Sequence, residues 1–371
     1  MQTMKTLKNI IITVFFALLI GFSTFGQNAN KPMVVIAYYM GDGSNINQYK
    51  TEYLTHIIYS FLHLKGNNFV VDNSVDSLAI TKLVALKKTN PKLKIILSLG
   101  GWGGCPSCTD VFSSEKGAKE FSQSVLSLLE TYRADGLDLD WEYPAIASNP
   151  GFWFKPEDKQ NFTRLINILR QTFGSKYELS FAAGGFKEFL DKSIEWQQVM
   201  PMVDYVNMMT YDLVNGYSKK TGHLTSLYST SQQQESTDFA VMYLDSIGVP
   251  MDKVVVGLAF YARIFSGVEP ENNGLYQKGK FSGYENYKDF DKKFNAESGY
   301  LHYWDASAKA PYAYNKETKT FATFDNLRSV YYKTKYVKTR KLAGVMFWEL
   351  SGDKLSGGLL DMIHEAGKDN E

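Results

Sequence analysis

Residues 135–142 read DGLDLDWE, which places four carboxylic acids, Asp135, Asp138, Asp140 and Glu142, among Leu137, Leu139 and Trp141. Apolar and acidic residues alternating in this way have the period of a β-strand, so residues of even number share one face. On that face Asp138, Asp140 and Glu142 follow one another at about 6.6 Å. Asp135 has the other parity and is assigned a structural role at the start of the strand, accepting hydrogen bonds. Three carboxyls this close in an interior that excludes water cannot all ionise, so they share protons and titrate as a coupled set. Such a set retains a proton near neutral pH, which is what a general acid requires. A change at Asp140 should therefore alter the pH profile of an activity as well as its rate. A buried structural network is the alternative, but no other strand supplies an inward Lys or Arg at comparable depth to neutralise it. A metal site is a second alternative, yet ligands spread over about 13 Å of one strand do not converge on an ion.

Positioning this ladder requires a sheet whose inner face is closed. Eight apolar runs read as strands: MVVIAYY from Met33, HIIYSFL from His56, KIILSLGG from Lys94, the acidic run from Asp135, ELSFAAGG from Glu178, DYVNMMTYD from Asp204, KVVVGLAFY from Lys253 and LAGVMFWEL from Leu342. Amphipathic stretches lie between them. Phe121, Val125, Leu128, Leu129 and Tyr132 form one helical stripe, and Phe162, Leu165, Ile166 and Leu169 form another, with Pro156 in its first turn. A third helix through Phe239, Val241, Leu244 and Ile247 stops at Gly248 and Pro250. Strand followed by helix eight times closes into an α/β fold, a (β/α)8 TIM barrel. An open doubly wound sheet is less consistent with the sequence, which lacks a Gly-x-Gly-x-x-Gly turn after the first strand. In a barrel Leu137, Leu139 and Trp141 face the helices and the three acids face inward, with Glu142 nearest the C-terminal rim where substrates bind.

About 80 residues separate the seventh and eighth runs, more than one crossover helix needs. Residues 264–338 are expected to form a small inserted α+β lobe, closed by a helix that Asp325 caps and that runs through Val330 and Tyr331 to Val337. Residues 1–26 have the pattern of a signal peptide: Lys5 and Lys8 precede an apolar run from Ile10 to Phe22, and Thr24 and Gly26 stand at the positions before a cut ahead of Gln27. The expected location is therefore secreted or periplasmic, with 27–371 as the catalytic barrel and no stable membrane span after cleavage. Cys105 and Cys108, the only cysteines, suit a local disulfide in an exported protein. The five histidines have no metal-ligand spacing, so neither metal nor cofactor is expected. A net charge of +1 over 371 residues gives no field that favours nucleic acid. Aromatic residues reach 15%, which supplies flat apolar platforms with polar edges and suits a neutral ligand.

DGLDLDWEYP resembles the Asp-x-x-Asp-x-Asp-x-Glu signature of family 18 glycoside hydrolases, the chitinases and their relatives. SLGGW from Ser98 to Trp102, MTYD from Met209 to Asp212, GLAFYAR from Gly257 and GVMFWELSGD from Gly344 resemble further motifs of that family in the same order. The family more often has Gly where Ala262 stands, and the inserted lobe matches one of its subgroups. The resemblance implies that Glu142 protonates the glycosidic oxygen, and that the substrate's own 2-acetamido oxygen attacks the anomeric carbon with net retention. Asp140 orients the acetamido N–H and shares its proton with Asp138, Tyr211 holds the acetamido oxygen, and Tyr38 and Ser98 bond Asp138. Trp348 lies beneath the distorted sugar. Phe61, Gly101, Trp102, Tyr143, Met209, Asp212, Tyr261 and Arg263 complete the subsites, Trp102 as an aromatic platform on the product side. The implied partner of this monomer is chitin or a chito-oligosaccharide. An endo-β-N-acetylglucosaminidase acting on glycoprotein glycans is the alternative within the family. Some relatives are lectins that bind chitin without cleaving it, usually lacking the glutamate or its neighbour, whereas Asp138, Asp140 and Glu142 are all present here.

Overall fold

A computed structural model describes residues 32–368; the expected signal peptide at 1–26 lies outside them. Eight parallel strands close on themselves: β1 (Val34–Tyr39), β2 (His56–Lys65), β4 (Lys94–Gly100), β5 (Gly136–Asp140), β6 (Glu178–Gly184), β7 (Tyr205–Met209), β8 (Val254–Ala259) and β14 (Gly344–Trp348). β1 pairs with both β14 and β2, which leaves the ring without an open edge. A short β3 (Asn68–Val70) hairpins against the end of β2. The ring with its interstrand helices is a (β/α)8 barrel, and each of the eight apolar runs contributes one strand.

Parity divides the barrel into two apolar layers. Leu137, Leu139 and Trp141 belong to the outer core, where Trp141 packs against Phe112 and Phe162. Val34, Ile36, Tyr38, Ile58, Ile96, Ala182, Tyr205, Val255 and Met346 form a separate inner cluster. The interior is thus filled by side chains, and the site can open only at its rim. The helix Glu115–Tyr132 is capped by Ser114, whose side chain accepts from Gly117 N. Pro156 does not enter the first turn of the next helix, which starts at Asp158. The buried Asp158 carboxylate instead accepts from Lys155 N and Thr109 Oγ1, so the chain turns just before the helix begins. Asn161, the asparagine of an Asn-Phe-Thr sequence, is buried in that helix and donates to Asp158.

After β8 the chain continues almost directly into β9 (Tyr261–Ser266), the first strand of a second sheet. β10 (Lys280–Asn286), β11 (Leu301–Asp305), β12 (Ala310–Asn315) and β13 (Thr320–Phe324) complete it in the order β10-β9-β13-β12-β11, with every pair antiparallel. Its own apolar cluster contains Phe265, Val268, Leu275, Tyr312, Tyr314 and Phe321. The helix that returns the chain to β14 spans Leu327–Thr339, and its cap is Asn326, bonded to Ser329 N in a reciprocal capping box. Asp325 is not the cap because it is taken up elsewhere. Fully buried, it accepts from Lys333 Nζ at 2.8 and 2.9 Å, from Ser329 Oγ at 2.6 Å and from Ala259 N at 3.1 Å. This ion pair ties the end of β8 to the returning helix. Lys333→Met leaves the carboxylate without its counter-charge and is expected to lower stability by about 3–5 kcal/mol in urea unfolding. A loss below 1 kcal/mol would show that the pair contributes nothing beyond packing.

Candidate active site

The row that holds the ladder follows from strand register. Ser98 on β4, Asp138 on β5 and Ser180 on β6 are aligned partners in consecutive parallel pairs. All three point inward and are buried. Asp138 Oδ2 accepts from Tyr38 OH and Ser98 Oγ, each at 3.0 Å. Its Oδ1 accepts from Ser180 Oγ at 2.7 Å and from Asn207 Nδ2 at 3.1 Å. Burial raises the Asp138 carboxyl above the ordinary value, and these four donors offset only part of that rise.

Asp140 sits one step nearer the rim and is also buried. Its Oδ1 has no hydrogen-bond partner. Burial, then the proximity of Glu142 and Asp138, raises this carboxyl well above the usual range. Glu142, half-buried at the mouth, is pushed up to about 7 by burial; a hydrogen bond with Tyr143 offsets part of the rise and Asp212 adds to it. Asp135 stands apart, as its parity requires. It accepts from Lys87 Nζ at 2.6 and 2.8 Å and from Ile95 N at 2.8 Å, tying β5 to β4.

Around the ladder the strand ends supply aromatic surface. Trp348 at the end of β14 lies between Tyr38, at 5.8 Å between ring centroids, and Phe61, which stacks on it at 5.5 Å. A register irregularity in β2 between Tyr59 and Leu62 brings Phe61 into this position. Gly101, at φ +79°, lies directly beneath the Phe61 ring, and a Cβ there would enter it. Gly100, at φ +110°, lets β4 approach the Asp140 carbonyl equally closely, and Gly101 N then donates to that carbonyl at 2.9 Å. SLGGW thus requires both glycines to bring Trp102 to the rim. Trp102 is 48% exposed and makes tilted contacts with Tyr143 at 6.3 Å and with Tyr217 at 6.1 Å. Cys105 and Cys108, in the same loop, are joined as a disulfide with their Cα atoms 5.4 Å apart.

On the other side Tyr211 points its hydroxyl toward Met346 Sδ, at 3.8 Å, and its ring meets Tyr261 edge-on at 6.1 Å. Met209 is buried in the inner cluster. Asp212, at φ +53°, is gripped by Arg263 through two bonds of 2.7 Å. Arg263 lies on β9 with its guanidinium 5.1 Å from the Tyr261 ring, so the second sheet fixes a carboxylate of the barrel rim. Sequence reasoning did not single out Ser180, Asn207 or Tyr217. The parity of the first two on β6 and β7 marks them as inward polar residues, but only the cross-strand register shows that they meet Asp138. Among the described residues, no group of three or more His, Cys, Asp or Glu side chains is arranged to hold a metal ion, and no helix is long and apolar enough to cross a membrane.

A carboxyl pushed up to about 7 at the rim of a closed barrel, beside the stacked rings of Trp348 and Phe61, is suited to general acid chemistry. Residues 34–353 match the family model of glycosyl hydrolases family 18, and the chain belongs to that family. It is 35% identical over 320 residues to Chitinase A1 of Niallia circulans, an alignment that spans 78% of this chain and 45% of that protein. With Chitinase B of Serratia marcescens the identity is 29% over 382 residues, spanning 85% and 77%. Among solved structures, a family 18 N-acetylglucosaminidase from Paenibacillus barengoltzii superposes with a TM-score of 0.82 at 34% identity, over 90% of this chain and 99% of that one. The chain therefore spans less than half the length of the first relative and most of the other two.

Proposed function

We propose that this protein is an exported chitinase, acting as a monomer on the β-1,4 bonds between N-acetylglucosamine units of chitin and chito-oligosaccharides, with retention of configuration. The observation that carries this reading is the condition of the carboxyls. Burial pushes Glu142 up to about 7, and neither of its two neighbouring carboxylates is free to serve as a nucleophile. Asp212 is clamped by Arg263, and Asp140 is buried below Glu142. A nucleophile is still needed, and the substrate's own acetamido oxygen supplies it.

In the first step Glu142 gives its proton to the glycosidic oxygen, the acetamido carbonyl oxygen bonds to the anomeric carbon, and the leaving sugar departs as an alcohol. Asp140, with an acceptor oxygen left unpaired, receives the acetamido N–H and turns the group toward the anomeric carbon. The Tyr211 hydroxyl steadies the acetamido oxygen. In the second step Glu142, now ionised, takes a proton from the water that opens the oxazolinium ring. Trp348 lies under the reacting sugar and presents its indole face to the C–H face of the pyranose. Trp102 and Tyr143 carry the product side. Most of the antiparallel sheet belongs to an inserted lobe, residues 264–338, and Arg263, just before it on β9, ties that sheet to Asp212 at the rim.

The test is chitohexaose incubation with products read by mass, in which the wild type is expected to yield shorter chito-oligosaccharides. No cleavage, or equal cleavage by Glu142→Gln, would overturn the reading. Cleavage of a high-mannose glycan in place of chitohexaose would assign the endo-β-N-acetylglucosaminidase activity instead. Binding without cleavage of either would make the protein a lectin.

A further inference from the structure

We infer that the Cys105–Cys108 disulfide is a positioning element for Trp102: it ties the turn that carries this indole to a buried helix, and so sets how firmly the groove holds a sugar there. This role rests on the hydrolase reading of the site, in which Trp102 carries the product side, and adds to it a covalent bond outside both the acidic ladder and the aromatic floor.

Packing does little to hold Trp102. About half of the residue faces solvent, and of its two ring neighbours Tyr217 is itself 64% exposed. Along the chain, Trp102 lies in a turn closed by Gly104 N, which donates to Gly101 O at 2.8 Å, with Gly103 at φ +79° in the third position, where such a turn needs glycine. Glycine on both sides leaves the backbone around the indole free to pivot. The bond from Gly101 N to the Asp140 carbonyl fixes one end of this turn. The other end passes at once into a second turn, closed by Cys108 N donating to Cys105 O at 3.3 Å, just beyond the usual length of such a bond. The disulfide joins the same two residues and keeps that turn shut.

What lies beyond Cys108 is firmly packed. Cys108 opens the short helix Cys108–Phe112, in which Cys108, Thr109, Val111 and Phe112 are buried. Phe112 meets Phe121 at 5.1 Å and Trp141 at 5.6 Å, and Thr109 Oγ1 donates to the buried Asp158 carboxylate at 2.8 Å. Trp141 immediately precedes Glu142, so this helix is packed against the strand that presents the acid. The disulfide carries that fixed frame back along the chain to Cys105 and the turn of Trp102. A bond that closes a sequence separation of only 3 removes little entropy from the unfolded chain, so its effect is on local geometry more than on global stability. With the second turn open, Trp102 would swing on its glycines, and each binding event would have to order it again.

The test combines Cys105→Ala with Cys108→Ala in the full chain, alone and together with Trp102→Ala. Loss of the bond is expected to raise KM for chitohexaose about 3–10-fold, the cost of ordering a loop and a side chain on binding, with kcat within about twofold. The melting temperature should stay within about 5 °C of the wild type's. With Trp102→Ala already in place, the same loss should change KM by less than about twofold, because the bond then has no indole to hold. Nitrogen relaxation of the indole N–H groups gives a readout independent of substrate: of the six tryptophans, Trp102 is expected to lose order when the bond is removed, while Trp141 stays fixed. Equal KM shifts with and without the indole, or an indole as ordered without the bond as with it, would overturn the proposal. A variant that does not fold would show the bond serving global stability and would overturn it too. Should the wild type fail to cleave chitohexaose, the relaxation measurement still decides this point separately from the substrate assignment.

Discussion

Glu142→Gln is expected to reduce kcat on chitohexaose by about 10²–10⁴-fold, the range that removal of a general acid produces. Gln keeps the shape and a hydrogen-bond donor at the rim, so binding through Trp348, Trp102 and Tyr143 should be retained, and KM should change by less than about threefold. Quenching of tryptophan fluorescence by chitohexaose measures this directly, because Trp102 is exposed at the rim. The same substitution should stabilise the fold at high pH. In the folded protein Glu142 binds its proton up to about pH 7, against an ordinary value near 4.5, so between these values the native state holds more protons than the unfolded one. Stability from this group is fully present below about pH 4.5 and is lost as pH rises through 7. Gln does not ionise. The variant should therefore melt a few degrees higher than the wild type at pH 8, with the two curves converging by pH 4.5. An equal melting temperature at pH 8 would mean that Glu142 is solvated like a surface carboxylate and is not the proton-retaining acid. This pairing of lower activity with higher stability is expected where a site holds a group in an unfavourable charge state for its chemistry.

The barrel was legible because its strands are buried on both faces and so appear as short apolar runs, and because the acidic strand alone alternates clearly enough to show its parity. Parity was sufficient to separate Asp135 from the other three acids. Ser180 and Asn207 were not found, although each lies inside a recognised strand, because local pattern shows which way a residue points and not what it meets. That information is in the register of β5 against β6 and of β6 against β7, set by contacts between residues about 40 and 25 positions apart. Asp325 and Asn326 pose a different problem. Both are good caps, and the choice between them is decided by Lys333, whose buried ammonium claims the carboxylate. A one-residue displacement of the helix start followed from an ion pair that no capping rule contains.

Asp140→Asn is expected to lower kcat by about 10²–10³-fold and to change the form of the alkaline limb as well as the rate. Asp140 and Glu142 influence one another, so their protons leave in two macroscopic steps that belong to the pair. Once the first proton has gone, near pH 7, the remaining one is divided between the two carboxyls. In the fraction of molecules that carry it on Glu142 the acid is still competent. Wild-type activity should therefore decline in two stages, with a shoulder above pH 7. Asn at 140 cannot take part in that division, and Glu142 then titrates alone, its carboxyl still raised by burial and by Asp212. The limb should become a single step centred near pH 7, without the shoulder. Because Asn retains an acceptor oxygen and the volume of Asp, loss of the shoulder can be attributed to the missing titration rather than to collapse of the site. A variant whose limb keeps both stages would show that the second step does not depend on Asp140 and would overturn the pairing of the two carboxyls. A variant that loses the rate and retains a single limb already present in the wild type would show that Asp140 acts only by orienting the acetamido group, and that the ladder's proton never leaves Glu142.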